Sequence, residues 1–301
     1  MPTFDILASA ENNTYMEWQA MLFHFSCLTV QKQVPIIAVH KGPEPLLPGF
    51  ELIRNHGGHI QEVDNFKNLN DVCYPPRNSA AALSITSDAD FVVLCDADMI
   101  VVNQIDMDRL IVPDNTITFD YVGYLDPDRD GYQPDIDDVF VRNGISSQRI
   151  RTPVINGGVP HVIPNRLLAK ISETWLRSID EFPILFEGER PDSDDKRYSA
   201  WPYRCWLASM WAMVLVIHKL GLKHKITEIV ATNHPPDWPM ETERWLVHYC
   251  YPSSAFDKRT LGEGKSIQEP AFWDLEPDDG TVAGYLRKVV MEAGRYYGLR
   301  P

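Results

Sequence analysis

The sequence predicts an α/β protein with a Rossmann-like, doubly wound sheet that is mixed but mostly parallel and has helices on both faces. Two observations predict this class. Short apolar runs of strand length alternate with longer amphipathic segments over roughly the first third of the chain, and the links between them are short. One run, residues 91–95, is continuous and rich in valine, which is typical of a strand buried in a parallel sheet.

Each element follows from its local pattern. Strands are predicted where apolar and β-branched residues cluster, at 3–9, 34–40, 60–63, 91–95, 116–122, 159–163, 226–231 and 245–250. Helices are predicted where apolar residues recur every three or four positions, at 14–30, 46–56, 78–87, 165–179, 202–220 and 280–298. Thr14 is suited to cap the first helix, and the pair Gly57-Gly58 is suited to end the second.

The whole chain, residues 1–301, is expected to form a single domain. It is 44% hydrophobic, which is ample for one large core, and no linker composition separates two parts. The segment 124–150 is polar, acidic and rich in turn residues, so it predicts a long surface loop. A calcium loop is the alternative interpretation of its acids, but the EF-hand spacing with a closing glutamate is absent.

The charge balance limits the partners. The net charge is −14 and no run of lysine and arginine occurs, which disfavours nucleic acid and anionic membranes. A polyanionic ligand would therefore need a metal or locally placed cations. The N-terminus lacks a signal peptide pattern, and the longest apolar stretch, 206–217, is too short for an integral membrane segment. The five cysteines are interpreted as buried reduced thiols, so a cytoplasmic protein is expected.

Asp96 and Asp98 directly follow the strand predicted at 91–95. The carboxyl ends of strands in an open α/β sheet form the ligand crevice. Two carboxylates at positions i and i+2 can there share a divalent cation that also holds a diphosphate. The chain contains seven Asp-x-Asp triplets, and this one alone directly follows a five-residue apolar run. The alternative is a strand-to-turn cap, in which the aspartates accept hydrogen bonds from loop amides.

Two later residues are candidates to complete this site. His248 ends a short predicted strand, and its imidazole could complete a metal shell of oxygen and nitrogen ligands that suits manganese. The alternative is a hydrogen-bonded strand histidine without a metal. Lys258 follows ten residues later and could neutralise a diphosphate leaving group as it departs.

Two segments are candidates to contact a sugar. In the first, Asn156 precedes Gly157 and Gly158, and paired glycines let the backbone approach a ligand closely. A tight hairpin turn explains the glycines equally well, and both can hold together. In the second, Asp194 and Asp195 precede an aromatic stretch, an arrangement that suits sugar hydroxyls and ring faces. A solvated acidic loop ahead of a core helix is the alternative there.

The order of the motifs is more specific than any one of them. A strand leads into a tryptophan-containing helix, Asn78-Ser-Ala-Ala-Ala-Leu precedes the Asp-x-Asp strand, and Pro153-Val-Ile-Asn-Gly-Gly comes later. The remaining matches are Val92–Ile100, Val162-Ile163, Trp206–Met210, Gly221–His224, Pro235-Pro-Asp-Trp238, His248-Tyr249 and Phe256-Asp-Lys-Arg259. Together these features resemble the peptidyl serine galactosyltransferases and the hydroxyproline O-arabinosyltransferases, which share the GT-A glycosyltransferase fold. Asp96-Ala-Asp98 is closer to the galactosyl branch, and Ser209 stands where the family usually has an acidic residue.

The resemblance implies a metal-dependent transfer, with retention of configuration, from a UDP-sugar to a hydroxyl acceptor on a peptide (serine or hydroxyproline) or a glycan. It implies Mn²⁺ or Mg²⁺ held by Asp96, Asp98 and His248. Asp194, Asp195 and Lys258 are the implied catalytic residues. The implied donor-binding residues are Ala8, Ser9, Ala10, Arg77, Asn78, Asp96, Ala97, Asn156, Gly157, Gly158 and Lys258.

Two rival interpretations come from other functional classes. A non-catalytic protein of the same fold could bind a nucleotide-sugar or a glycan, although the joint presence of Asp96, Asp98, His248 and Lys258 argues against it. A sugar nucleotidyltransferase would normally show a glycine-rich phosphate loop with a basic residue near the N-terminus. Residues 10–13, Ala-Glu-Asn-Asn, do not form one.

Overall fold

The computed structural model describes residues 2–69, 72–111, 115–128, 133–151, 155–182, 200–232, 243–250, 256–261, 266–275 and 280–300. Strands and helices alternate along these ranges. The strands are β1 (Phe4–Glu11), β2 (Ile36–Lys41), β3 (His59–Asp64), β4 (Asn68–Leu69), β5 (Val72–Cys73), β6 (Phe91–Asp96), β7 (Met99–Val101), β8 (Thr116–Tyr121), β9 (Gly157–Pro164), β10 (Lys223–Thr227), β11 (Val230–Thr232) and β12 (Leu246–His248). The helices are α1 (Thr14–Ser26), α2 (Pro48–Asn55), α3 (Arg77–Ala81), α4 (Met107–Leu110), α5 (Gln133–Arg142), α6 (Ser147–Arg151), α7 (Leu168–Ile179), α8 (Ala200–Leu220), α9 (Lys258–Leu261), α10 (Pro270–Trp273) and α11 (Val282–Tyr296).

The main sheet has seven strands in the order β10-β8-β9-β6-β1-β2-β3. β1 pairs in parallel with β2, β10 pairs in parallel with β8, and β9 runs antiparallel to β8. A separate three-stranded sheet has the order β11-β12-β7, and β4 pairs with β5. The predicted fold class, a mixed and mostly parallel α/β sheet, is confirmed.

The chain divides into two compact units. The first comprises Met1–Phe4, Asp64–Val93 and Leu110–Thr227, and the second comprises Asp5–Val63, Leu94–Arg109 and Glu228–Pro301. The first unit includes the pairing of β8 with β9 and β10, together with α7 and α8. The second unit includes β1, β2, the sheet of β7, β11 and β12, and the helices α1 and α11.

Helix α1 lies in the core of the second unit, where all ten residues from Glu17 to Ser26 are buried. Its N-cap is Asn13, not Thr14 as the sequence pattern predicted. Asn13 is extended, and its side-chain oxygen accepts a hydrogen bond from the Met16 amide at 2.8 Å. Asparagine reaches the free amides of the first turn from this position, and Thr14 is already helical.

The helix predicted at 280–298 is present as α11. Thr281 caps it, since its hydroxyl accepts from the Gly284 amide at 3.0 Å. The buried side of α11 carries aliphatic residues, and Gly294 lets the helix lie against Trp273. A Cβ at Gly294 would lie only 2.6 Å from that tryptophan's Cβ. Beyond the helix, the Tyr297 hydroxyl and His24 Nδ1 of α1 lie 2.7 Å apart, which ties the C-terminal helix to the core.

The surface loop predicted at 124–150 is wrong for its second half, because residues 133–151 contain the helices α5 and α6. Ile136, Val139 and Phe140 recur at helical spacing and are buried. Acidic residues surround these three positions in the sequence, so the segment as a whole resembles a polar loop and its short helical pattern was missed. Arg151 uses two of these acids, with contacts of 2.6 Å to Asp128 and 2.8 Å to Asp137.

Three smaller predictions also need correction. The strand predicted at 226–231 is two strands, β10 and β11, because residues 228–229 separate them. The short helices α4, α6, α9 and α10 were not predicted, since four or five residues give no periodic signal. The thiols were predicted to be buried, but Cys73 is exposed and Cys250 is half-buried. None of the described helices combines the length and apolar composition needed to cross a membrane.

Candidate metal site and its surroundings

The candidate site is built on the turn between β6 and β7 in the second unit. The apolar run Val92–Cys95 and the strand β7 are completely buried on either side of this turn. The polar residues between them therefore mark the place where the chain leaves the sheet. Asp96 is the last residue of β6, and Ala97 and Asp98 form the turn.

Strand β12 brings His248 to this turn. β12 pairs antiparallel with β7, so that His248 lies opposite Met99, the residue after the turn. His248 Nε2 lies 3.1 Å from Asp98 Oδ1 and 3.8 Å from Asp96 Oδ2. One ligand atom from each of the three residues lies within 4.8 Å of the others. The three residues predicted as metal ligands are therefore grouped in space.

Lys258 reaches the same group from the start of α9. Its ammonium group donates a hydrogen bond to Asp98 Oδ2, and its side chain is 15% exposed. Phe256, two residues earlier, is buried and packs edge-on against Tyr249 with ring centroids 5.8 Å apart. This contact anchors the segment that leads to Lys258. The lysine predicted to act near the metal residues is thus in contact with one of them.

The charges in this cluster shift one another's pKa values. Burial, with the neighbouring Asp98 charge, raises the pKa of Asp96 to about 6. Burial would also raise the pKa of Asp98, but the positive charges of His248 and Lys258 hold it well below its usual range. Burial opposes the charged forms of His248 and Lys258, yet Asp98 raises the pKa of both. The two carboxylates therefore differ, because the pKa of Asp98 is lowered and the pKa of Asp96 is raised.

Tyr249 supports the turn, a role the sequence did not reveal. Its backbone amide donates to the Asp98 carbonyl at 3.1 Å, and its hydroxyl donates to the Ala97 carbonyl at 3.5 Å. Its ring is fully buried and stacks on Trp18 of α1 with centroids 6.1 Å apart. Tyr249 thereby fixes the backbone that presents both carboxylates. The one sequence feature that could have indicated this role is its position directly after His248. A tyrosine there is equally expected as an ordinary core residue.

The contacts of the carboxylates favour a ligand role over a strand-to-turn cap. In the 106–108 and 126–128 triplets, the first aspartate accepts the amide of the second, at 3.2 Å and 2.9 Å. Within the described part of the chain, neither Asp96 nor Asp98 accepts a backbone amide in this way. Two carboxylates and an imidazole form a mixed oxygen and nitrogen donor set that suits a divalent cation such as Mn²⁺. The three side chains at the turn thus have the chemistry of a divalent-cation site.

Ala8, Ser9 and Ala10 lie near the end of β1, also in the second unit, and all three are buried. Ser9 is the one with a polar side chain. Its hydroxyl lies 3.0 Å from His40 Nε2 of β2, which fixes its orientation. The predicted position of these residues at a strand end agrees with the structure, and their contact with a nucleoside stays a prediction.

Arg77 and Asn78 begin helix α3 in the first unit. Arg77 is buried and pairs with Asp180 at 3.2 Å. The Asn78 side chain accepts from the Phe66 amide at 2.9 Å and donates to Asn65 at 3.1 Å. These contacts give both side chains a structural role within their unit. Their predicted contact with the donor stays a prediction.

Gly157 and Gly158 also belong to the first unit and open strand β9, so the hairpin-turn interpretation is wrong. Neither has a positive φ. Close packing explains the absence of side chains, because a Cβ at Gly157 would lie 2.4 Å from Phe119 Cβ. The backbone carbonyl of Asn156 accepts from the Val122 amide at 2.9 Å. Asp194 and Asp195 lie outside the described residues.

With this geometry, the chain has the GT-A fold of nucleotide-diphospho-sugar transferases. The galactosyltransferase LgtC, solved with donor and acceptor sugar analogues, is similar with a TM-score of 0.53 and 12% identity, over 97% of this chain and 99% of that one.

Two further solved structures are similar over much of the chain. Mouse xyloside xylosyltransferase 1 has a TM-score of 0.46 and 11% identity, over 82% of this chain and 97% of its own. The glycosyltransferase GlyE of Streptococcus pneumoniae TIGR4 has a TM-score of 0.47 and 10% identity, over 99% of this chain and 64% of its own. No protein-family profile matches the sequence, and no curated protein matches it.

Proposed function

We propose that the protein is a metal-dependent glycosyltransferase that moves a sugar from a UDP-sugar to a hydroxyl acceptor with retention of configuration. The observation that carries the proposal is the grouping of Asp96, Asp98, His248 and Lys258 at the turn after β6. Two anionic ligands, an imidazole and an ammonium group beside one strand end suit a metal-bound diphosphate. The shared fold supports it, since LgtC was solved with donor and acceptor sugar analogues.

Asp96, Asp98 and His248 would hold Mn²⁺ or Mg²⁺. When bound, the cation neutralises the diphosphate of the donor and the charge that develops as it leaves. Tyr249 keeps the Asp96–Asp98 backbone in place, because it holds two successive carbonyls of the turn. Ala8, Ser9 and Ala10, with Ala97, are proposed to contact the nucleoside side of the donor.

Lys258 is proposed to serve the leaving group. Its ammonium group is mostly buried, and the neighbouring Asp98 carboxylate raises the pKa of Lys258. A positive charge in such a place interacts strongly with a phosphate oxygen that gains charge in the transition state. Arg77 and Asn78 are proposed as further donor contacts on the strength of the sequence resemblance.

The sugar is proposed to meet Asn156, Gly157, Gly158, Asp194 and Asp195. In a same-face transfer, the bond from the anomeric carbon to the phosphate oxygen breaks as the acceptor oxygen bonds to that carbon. The acceptor proton passes to the departing phosphate. One of the two aspartates would stabilise the positive charge at the anomeric carbon, and we favour Asp195. The acceptor is a hydroxyl on a peptide, as in the families that the sequence resembles, or on a glycan.

A screen of nucleotide-sugars tests the proposal without knowledge of the acceptor. Purified protein is incubated with a panel of UDP- and GDP-sugars and Mn²⁺, and the release of nucleoside diphosphate is measured. We expect hydrolysis of at least one UDP-sugar, its loss with EDTA, and its loss in Asp98→Asn. Asp108→Asn is the matched control, because it alters another Asp-x-Asp triplet at an exposed position of the same unit.

Binding of UDP and Mn²⁺ without turnover of any donor would support a non-catalytic binding protein. Release of pyrophosphate from a nucleoside triphosphate and a sugar phosphate would support a nucleotidyltransferase. Either result would contradict the proposed activity.

A further inference from the structure

Asp98 contacts the Lys258 ammonium and is also a proposed ligand of a divalent cation, and one carboxylate cannot fully compensate both charges. We propose that Lys258 and a divalent cation compete for Asp98, so that the Lys258 ammonium turns to a diphosphate only after the cation has bound. This inference rests on the proposed function, because it concerns the same cation and the same diphosphate. It adds an order of events, in which the cation binds before the nucleotide.

Both oxygens of Asp98 are engaged. Oδ1 faces His248 Nε2 at 3.1 Å, and Oδ2 accepts a hydrogen bond from Lys258. An ammonium group has three donors and no lone pair, so it cannot become a ligand itself. A cation held through Asp98 Oδ1, the oxygen nearer His248, would leave the ammonium group on Oδ2 close to a like charge. Lys258 must then withdraw from that oxygen.

Lys258 can withdraw without a change in the backbone. Its charge lies at the end of a flexible four-carbon stem. The chain before it is held by Phe256, which is buried and packs against Tyr249. The anchored backbone limits the search of the ammonium group to the surroundings of the Asp96–Asp98 turn. The released charge therefore stays beside the proposed diphosphate position.

The exchange couples the two ligands. While Lys258 is paired with Asp98, its charge is compensated and offers little to an anion. Once a cation is bound, the cluster becomes more positive and the ammonium is free to bind phosphate oxygens. By linkage, each ligand then strengthens the binding of the other. A lysine that merely docked the diphosphate, without contact with Asp98, would change the affinity for the cation alone no more than an exposed charge of the same sign does.

The variant Lys258→Met tests this competition with Mn²⁺ alone, measured by titration calorimetry in the full chain. We expect Mn²⁺ to bind on the order of tenfold more tightly than in the wild type, which is the size of a typical coupling. Inorganic pyrophosphate, titrated with saturating Mn²⁺, should bind the same variant less tightly. These opposite changes are the signature of the exchange.

Arg259→Met is the matched control. It removes the same charge from the next residue, whose side chain is 60% exposed and pairs with Asp257 at 2.8 Å. Water screens the exposed Arg259 charge, so the Mn²⁺ affinity of this variant should stay within about twofold of the wild type. An equal gain in both variants would mean that general charge, not Asp98, controls the affinity, and would overturn the proposal.

A second measurement uses the wild-type protein, so it does not depend on the folding of a variant. Acetylation of each lysine is followed by peptide mass spectrometry after a brief exposure to acetic anhydride. Lys258 should be labelled severalfold faster with Mn²⁺ than with EDTA, and slowly again with Mn²⁺ and pyrophosphate. The exposed Lys170 should be labelled equally in all three conditions.

The outcomes separate this inference from the proposed function. Equal Mn²⁺ affinity in wild type and Lys258→Met, or labelling of Lys258 that ignores Mn²⁺, overturns the exchange and leaves the cation site standing. Tighter Mn²⁺ binding in Lys258→Met, with no donor turned over in the nucleotide-sugar screen, supports the exchange and contradicts the transferase activity. Absence of Mn²⁺ binding in both proteins overturns both.

Discussion

Replacement of Asp98 by asparagine should destabilise the folded protein, since it leaves Lys258 without its main partner. The two side chains are only 12% and 15% exposed, so water screens the pair weakly. Two unit charges about 4 Å apart interact by about 4 kcal/mol at an effective dielectric constant near 20. Asp96 offsets part of this loss, because its pKa of about 6 falls once the neighbouring charge is gone. We therefore expect a net cost of about 2–3 kcal/mol with EDTA present.

A double-mutant cycle isolates this pair. Asp98→Asn, Lys258→Met and the double variant are unfolded in urea at pH 7.5, and the free energies of unfolding are compared. The double variant should lose about 2 kcal/mol less than the sum of the single losses, because it leaves no uncompensated charge. The control cycle on the exposed pair Glu51–Arg54 should give a coupling of about 0.5 kcal/mol or less. Additivity within about 0.5 kcal/mol at Asp98 and Lys258 would refute this reasoning.

Four further outcomes are expected. Lys258→Ala should lower kcat by about 10²–10³-fold, the cost of a lost oxyanion donor, and a change in KM alone would make Lys258 a docking contact. Asp195→Asn should lower the rate of transfer while calorimetry shows unchanged UDP binding. Wild-type rates with every donor would favour the alternative interpretation of Asp195 as a solvated loop residue. Gly157→Ala should lower the thermal midpoint by several degrees, because its Cβ would lie 2.4 Å from Phe119 Cβ, and an unchanged midpoint would argue against that packing. Burial lowers the pKa of His161 to about 3, and a histidine whose folded pKa lies below its unfolded value near 6.5 stabilises less as pH falls between these values. Between pH 7 and pH 5 this residue should cost about 2 kcal/mol of unfolding free energy in urea titrations, and His161→Gln should flatten that part of the profile.

The fold was predictable because its signals are local. The alternation of buried strands with helices identifies the α/β class, and the continuous run before Asp96 identifies a strand inside the sheet. Where the signal is weak, the prediction fails. The helix α5 has few apolar residues among many acids. Its three buried residues indicate a helix only if their spacing of three or four positions is noticed.

The grouping of the three candidate ligands was predictable in its residues, but the contacts that hold these residues together were not. Asp96, Asp98 and His248 are recognisable by residue type and by position at strand ends. Their proximity depends on the pairing of β12 with β7 across 150 positions of sequence between Asp98 and His248, which no local pattern reveals. The direct contact of Lys258 with Asp98 also depends on the tertiary structure, and no local sequence pattern reveals it.

For the glycines of β9, the sequence shows the residues but not the reason for them. A glycine pair in the sequence is compatible with a turn, with a ligand contact and with close packing. The structure shows Gly157 against Phe119, so packing alone suffices to require the residue there. The side chain that makes a glycine necessary lies on another strand, β8, and only the register of that pairing identifies it.

Calorimetric titration of UDP, with Mn²⁺ and again with EDTA, tests the central claim most directly. It is carried out on the wild type and on Asp96→Asn, which removes a predicted ligand that is not hydrogen-bonded to Lys258 in the structure. We predict that Mn²⁺ tightens UDP binding to the wild type by at least about tenfold, and that the variant loses most of this gain. Equal affinity for UDP with Mn²⁺ and with EDTA in the wild type would contradict the account.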